Sequence, residues 1–284
     1  MNEKKWYAAE ALVTVAAREA IEYGLMEAGA LGTETRDAGG EQLVTGYFER
    51  QLDENEVRAQ LISALKLYGF APEELRDLRI QTVPDRDWLA EWKKNWQPVS
   101  VGRFIVAPPW IEPGASATAI VIKINPGMAF GTGTHETTRL CLQAIGKHFR
   151  GGSFLDVGTG TGILAIAAAK MFPEARIEAI DVDAEAIEIA KENARLNGVA
   201  DQIEFGTGSV AEQTASADLV CANLTAPVIM ELLPQLLGAT CGRLVLSGIL
   251  DAQLAVVQSR LSELGANVLE SDQDGEWVAL IVLP

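Results

Sequence analysis

Apolar and polar positions follow two different rhythms along the chain. Up to about residue 84, short strand-like and helix-like runs alternate. WYAAEALVTV is a weakly alternating, β-rich run and predicts a strand. Arg18 to Ala28 predicts a helix closed by Gly29. LGTETRD and EQLVTGYFER, parted by Ala38, Gly39 and Gly40, predict a hairpin. DENEVRAQLISALKLYG predicts a helix in which Asp53 is the N-cap and Glu56 completes a capping box. LRIQTVPD adds a last strand. From Glu136 onward, helical and strand signals alternate more widely. Helices are expected over Thr137–His148, Ile163–Met171, Ala184–Leu196, Val228–Leu237 and Ala252–Leu264. Strands are expected over Ser153–Val157, Arg176–Ile180, Gln202–Phe205, Asp218–Ala222 and Arg243–Leu246. Asn267–Ser271 and Trp277–Leu283, joined by a short acidic turn, end the chain as two more strands.

The first rhythm has the order β-α-β-β-α-β, that of a small α+β ferredoxin-like unit. The second implies an α/β domain with a parallel sheet. Its last two strands have only a turn between them, so they form an antiparallel hairpin. DRDWLAEWKKNWQP lies between the two regions. Trp88, Trp92 and Trp96 fall on one face of a short helix that Pro98 ends, and they are expected to pack as interdomain core. RFIVAPPW and TAIVIKINP then give two strands. The expected division is a domain over 1–84, a linker helix over 85–100 and the α/β domain over 101–284.

The 284 residues suffice for two domains, and 48% hydrophobic with 22% charged residues is an ordinary globular composition. The formal net charge of −16 argues against a protein that grips nucleic acid through its own field. Cys141, Cys221 and Cys241 have no metal-ligand spacing and lie in apolar stretches, so all three are expected as core thiols. The first residues lack an apolar signal core, and no run of about 18 apolar residues exists. These features suggest a cytoplasmic protein.

FLDVGTGTGILAIAAAK carries the first candidate chemistry. A buried strand runs into Gly158, Gly160 and Gly162, which let the backbone turn tightly beside a ligand. The following helix points its N-terminus at that ligand. Asp181 ends the next strand, where a carboxylate accepts both hydroxyls of a ribose. A phosphate-binding P-loop would need Lys after Gly162, which Ile163 replaces. A dinucleotide fingerprint would need a small residue at 163. Asp156-x-Gly158-x-Gly160-x-Gly162 instead resembles motif I of S-adenosylmethionine enzymes, with Asp156 near the cationic methionine moiety. The hairpin ending is also a mark of the class I methyltransferase sheet, a Rossmann-like fold.

Two further segments flank this one. In NPGMAFGTGTHETTRLCL, His135 and Glu136 begin like a zincin motif, but Arg139 stands where the second His is needed. The segment reads as a Gly-rich cover loop running into a helix whose first turn holds Glu136, Thr137 and Thr138. In DLVCANLTAPVIMEL, Asn223 falls past the end of a buried strand. Amino-group methyltransferases often carry Asn-Pro-Pro-Tyr there, and the Asn side chain and the next carbonyl accept hydrogens from the acceptor nitrogen. Here the run is Asn223, Leu224, Thr225 and Ala226. The Asn is kept and the stacking aromatic is lost, which favours an aliphatic amine over a nucleobase. A turn role for Asn223 is the plain structural alternative.

GMAFGTGTHETTRLCL, FLDVGTGTGILAIAA, IDVDAEAI, KENARLNGV, ANLTA, LSGIL and GEWVAL together closely resemble the bacterial methyltransferases that modify large-subunit ribosomal protein eleven. NWQPVSVGRFIVAPPW is similar to the segment joining that family's two domains. The resemblance implies S-adenosylmethionine as cofactor and a ferredoxin-like substrate-recognition domain on a flexible linker. It implies transfer of up to three methyls to Lys side chains and to the N-terminal amine of that ribosomal protein, free or in the ribosome. It implies Asn223 and the Leu224 carbonyl as catalytic groups. Thr138, Asp156, Gly158, Gly160, Asp181 and Asn223 become cofactor contacts, with Phe130, Thr134 and His135 in the loop closing over it. A monomer without metal, membrane or direct nucleic-acid dependence is expected. MFPEARIEAI is one residue longer than in some relatives. Methylation of another protein or a small amine, and a nucleotide-binding oxidoreductase, are the alternative readings.

Overall fold

The computed structural model describes residues 6–83, 97–114, 118–125, 133, 135–211 and 214–284. The described residues fall into two compact units, 6–83 and the remainder. Residues 85–96 of the expected linker, with its Trp stripe at 88, 92 and 96, lie outside the described residues, whereas its last two, Val99 and Ser100, belong to a strand of the second unit.

The first unit contains β1 (Trp6–Thr14), α1 (Arg18–Glu27), β2 (Gly32–Asp37), β3 (Glu41–Phe48), α2 (Glu54–Leu67) and β4 (Leu75–Val83). The strands pair in the order β2-β3-β1-β4, all antiparallel, the ferredoxin-like arrangement. Asp53 caps α2 by accepting from the N–H groups of Asn55 and Glu56. Ala9, Ala11 and Val13 of β1 face one way and share a core with Ile21 and Leu25 of α1 and Leu61 and Leu65 of α2.

The second unit begins with β5 (Val99–Val101), β6 (Phe104–Ala107) and β7 (Ile120–Lys123), a small sheet of which the pattern foretold only the last two strands. Next come α3 (Glu136–His148), β8 (Ser153–Val157), α4 (Ile163–Met171), β9 (Arg176–Asp181), α5 (Ala184–Leu196), β10 (Ile203–Thr207) and β11 (Ala217–Asn223). The chain ends with α6 (Ala226–Gly238), β12 (Thr240–Leu250), α7 (Leu254–Glu263), β13 (Asn267–Asp274) and β14 (Trp277–Leu283). The large sheet has the order β10-β9-β8-β11-β12-β14-β13. Strands β8 to β12 are parallel, and β14 inserts antiparallel between β12 and β13. This is the α/β class I methyltransferase sheet with its C-terminal hairpin.

Alternation along each strand assigns the two faces. In β11, Leu219 and Cys221 enter the core shared with α3 and α4, whereas Val220 and Ala222 enter the core shared with α6 and α7. Helix α4 is buried from Ile163 through Ala169, which explains its lack of a polar face. Two expectations change. Strand β12 runs to Leu250 instead of stopping at Leu246, because a bulge between Leu246 and Ile249 lets pairing continue. Cys141 and Cys221 are buried, but Cys241 is exposed at the start of β12, its Sγ against the Asp218 carboxylate.

Candidate active site

A parallel sheet places all its strand ends on one edge, and that edge gathers the candidate residues. Asn223 pairs with Ser247, Ala222 with Val157, and Val157 with Ile180. The glycine loop after β8, Asp181 at the end of β9 and Asn223 at the end of β11 therefore open on the same side.

The loop is held chiefly through its backbone. Gly158 and Thr159 both donate N–H bonds to the Ile180 carbonyl, at 2.9 and 3.0 Å. Gly160 N–H donates to Asp181 Oδ2 at 2.9 Å, and Asp183 N–H to Asp181 Oδ1 at 3.0 Å. Each carboxylate oxygen keeps an open lone pair, and Asp181 is only half-buried. A ribose diol fits that combination.

Asp156 sits beneath the loop. Its carboxylate is fully buried, with Oδ2 accepting from Thr159 Oγ1 at 2.7 Å and from Ala165 N–H at 3.2 Å. Oδ1 has no partner among the described residues. Burial pushes its pKa up to about 7 against the two hydrogen bonds, and the Asp181 charge adds to the rise. The sequence reading put Asp156 beside the ligand, whereas the structure has it bracing the loop and the first turn of α4 from within.

The next part of this edge is built from β11 and β12. Asn223 is half-buried, and no protein group among the described residues bonds its amide. Leu224 N–H donates to the Ser247 carbonyl at 3.0 Å. The Leu224 side chain lies over Gly158, where an added Cβ would come within 2.4 Å of its Cδ2. Its carbonyl lies over Gly248, where an added Cβ would be 2.2 Å from the oxygen. Gly248 has φ +88, so the bulge needs glycine twice over. Thr225 is the N-cap of α6, and its buried hydroxyl makes no bond to the helix and has no partner among the described residues.

Helix α3 supplies the third wall. His135 is its N-cap, with Nδ1 accepting from Thr137 N–H at 3.3 Å and the ring edge-on to Trp277. Thr138 is fully buried and its hydroxyl is unpaired among the described residues. Such a group calls for a further partner. Ser247 Oγ donates to the Thr137 carbonyl at 3.3 Å, and Arg139 bridges Glu136 and Asp274. Burial opposes ionisation of Glu136, yet its backbone hydrogen bond and Arg139 hold it below its ordinary value. Phe130 and Thr134 lie outside the described residues.

The model for ribosomal protein L11 methyltransferase (PrmA) matches residues 5–283. The chain belongs to that family. A ribosomal protein L11 methyltransferase of Myxococcus xanthus is 39% identical over 93% of this chain and 93% of its own length. One from Caldicellulosiruptor bescii is 33% identical over 98% of both. The crystal structure of a ribosomal protein L11 methylase from Lactobacillus delbrueckii subsp. bulgaricus superposes with a TM-score of 0.61 at 31% identity. It covers 66% of this chain and 98% of that one.

Sequence reasoning missed Ser247, Gly248 and Arg139 as parts of this edge. A lone glycine inside the strand signal of LSGIL was the only available cue to the bulge.

Proposed function

We propose that this protein transfers methyl groups from S-adenosylmethionine to amino groups of ribosomal protein L11, namely Lys side chains and the N-terminal amine. The observation carrying this reading is the amide of Asn223, unbonded among the described residues, on the strand-end edge that also holds the glycine loop and Asp181. The open carboxylate of Asp181 and the unpaired Thr138 hydroxyl fit the cofactor. Asp181 would hold its ribose, while Gly158, Gly160, Thr138 and Asn223 would line it. Phe130, Thr134 and His135 belong to the segment that would cover it, and Asp156 supports the loop.

S-adenosylmethionine, when bound, supplies a sulfonium methyl to a nitrogen nucleophile. The chain's own task is alignment. A free Lys amine has a pKa of ~10.4, so the acceptor must first lose a proton. Burial against the apolar Leu224 favours the neutral form. Asn223 Oδ1 and the Leu224 carbonyl oxygen then accept the two amine hydrogens, which aims the lone pair. The absence of an aromatic residue after Asn223 leaves room for an aliphatic chain instead of a stacked base.

Residues 1–84 are proposed as the substrate-recognition domain and 85–98 as the linker, since Val99 already begins β5, in a cytoplasmic monomer that takes L11 free or in the ribosome. Among the described residues no helix is long and apolar enough to cross a membrane. Incubation of the protein with S-adenosylmethionine and purified L11, followed by intact-mass and peptide spectrometry, tests the reading. Stepwise methyl additions on amines are expected. Unmodified L11 under conditions where the protein binds S-adenosylhomocysteine would overturn the substrate.

A further inference from the structure

The buried face of α5 does more than pack. Asn193 lies on it with 0% exposure, and both ends of its amide are used. Oδ1 accepts from Asn125 N–H at 3.0 Å, and Nδ2 donates to the Thr161 carbonyl at 2.9 Å. Thr161 is the middle of the Gly160–Gly162 turn. Asn125 stands two residues past β7, where the chain leaves the small sheet. One side chain thus joins two stretches 36 residues apart in the chain (125 and 161) from behind the strand-end edge.

The bond to Thr161 has a specific consequence. Gly162 N–H already donates to the Thr159 carbonyl at 2.9 Å. The Thr161–Gly162 peptide is therefore pinned at its nitrogen by the loop and at its oxygen by Asn193. Glycine-flanked peptides rotate readily. With the second pin removed, this peptide can turn over and carry the loop away from the conformation in which Gly160 N–H meets Asp181.

Asn197, one turn further along α5, provides the contrast. Its side chain accepts from Lys123 N–H at 2.9 Å and donates to the Lys123 carbonyl at 2.6 Å and to the backbone carbonyl, not the amide, of Asn193 at 2.8 Å. It fastens β7 to α5 as Asn193 does. No bond from it to the glycine loop exists among the described residues.

We propose that Asn193 is a positioning residue for S-adenosylmethionine, holding the Thr161 turn in its binding conformation through the bond to the Thr161 carbonyl. The proposal rests on the assignment of the cofactor to the glycine loop. The test is titration calorimetry with S-adenosylhomocysteine, alongside Tm, on the full chain and on N193A, N193D and N197A. Aspartate at 193 keeps an acceptor for Asn125 N–H but turns an oxygen toward the Thr161 carbonyl, so it isolates the loop half of the bridge. It also carries the test if N193A is too unstable to titrate. Both 193 variants are expected to weaken binding at least tenfold. N197A should lose a similar amount of Tm and bind within threefold of the unsubstituted chain. Binding by folded 193 variants within threefold, or a loss in N197A equal to theirs, overturns the role of Asn193. Failure of the unsubstituted chain to bind at all removes the cofactor assignment, and the proposal with it.

Discussion

The glycine loop after β8 and the bulge in β12 both seat a glycine where a side chain has no room, but they are assembled differently. Much of the loop's support comes from within the loop and from the next strand, whose Ile180 and Asp181 lie 21 to 22 residues away. Asp156 reaches Thr159 and Ala165, and the glycines follow one another within five residues. The bulge is supported from afar. Gly248 meets the carbonyl of Leu224, and Ser247 meets Leu224 and Thr137, across separations of 23 to 110 residues. On the proposed reading the loop serves a cofactor common to many enzymes, so its chemistry recurs as a motif. The bulge would serve the geometry of one acceptor site, and it leaves only a lone glycine in a strand.

Substitutions can separate the two halves. The largest effect is expected for Asn223→Ala. Loss of an acceptor aimed at the reacting nitrogen should lower kcat on L11 by about 100- to 1,000-fold. Binding of S-adenosylhomocysteine should change far less; equal losses in both would merge the two halves into one. Asp181→Ala should do the opposite, raising the S-adenosylhomocysteine Kd by about 10- to 100-fold, since hydrogen bonds to a charged group contribute ~1.5–3 kcal/mol. Calorimetry reads this directly, and an unchanged Kd would remove the ribose from this carboxylate.

Gly248→Ala comes next. The new Cβ must displace the Leu224 carbonyl from 2.2 Å, so kcat should fall on the order of tenfold while cofactor affinity holds. A proportionate fall in both would show that the bulge also shapes the cofactor side.

The smallest effect concerns stability. Asp156 has an ordinary pKa of 3.8 and titrates at about 7 in the fold. Between those values the folded state binds more protons than the unfolded one, so stability falls as pH rises through this window and is level above it. Asp156→Asn, which carries no charge, should flatten that slope and leave the variant more stable at pH 8 by on the order of 1–2 kcal/mol. Denaturant midpoints at pH 5 and pH 8 check this. A slope unchanged by the substitution would place its origin elsewhere.

Legibility in the sequence followed the same division. The α3, β8, α4 and α5 boundaries were readable to within a residue, because each apolar run lies within its element and glycines or polar caps stand beside its ends. Strand β12 was read too short, since Gly248 and exposed Arg243 interrupt its pattern while the ladder to β11 and β14 continues past them. Cys241 was misplaced in the core because an apolar neighbourhood in sequence does not report the start of a strand at the sheet's far edge. Asn223 was read as an acceptor group from its place after a buried strand, but that its amide has no protein partner among the described residues required the coordinates.

By itself, the sequence determined the order of elements, the hairpin at the end, the glycine loop and its acidic partner. These depend on residues within reach of one another along the chain, where periodicity and glycine spacing act directly. The tertiary structure alone decided that Asp156 braces the loop from below, that Leu224 is wedged between Gly158 and Gly248, and that Asn193 bridges Thr161 to Asn125. Those arrangements arise only when distant strands and helices pack, because a buried donor must find its acceptor in space and not along the chain.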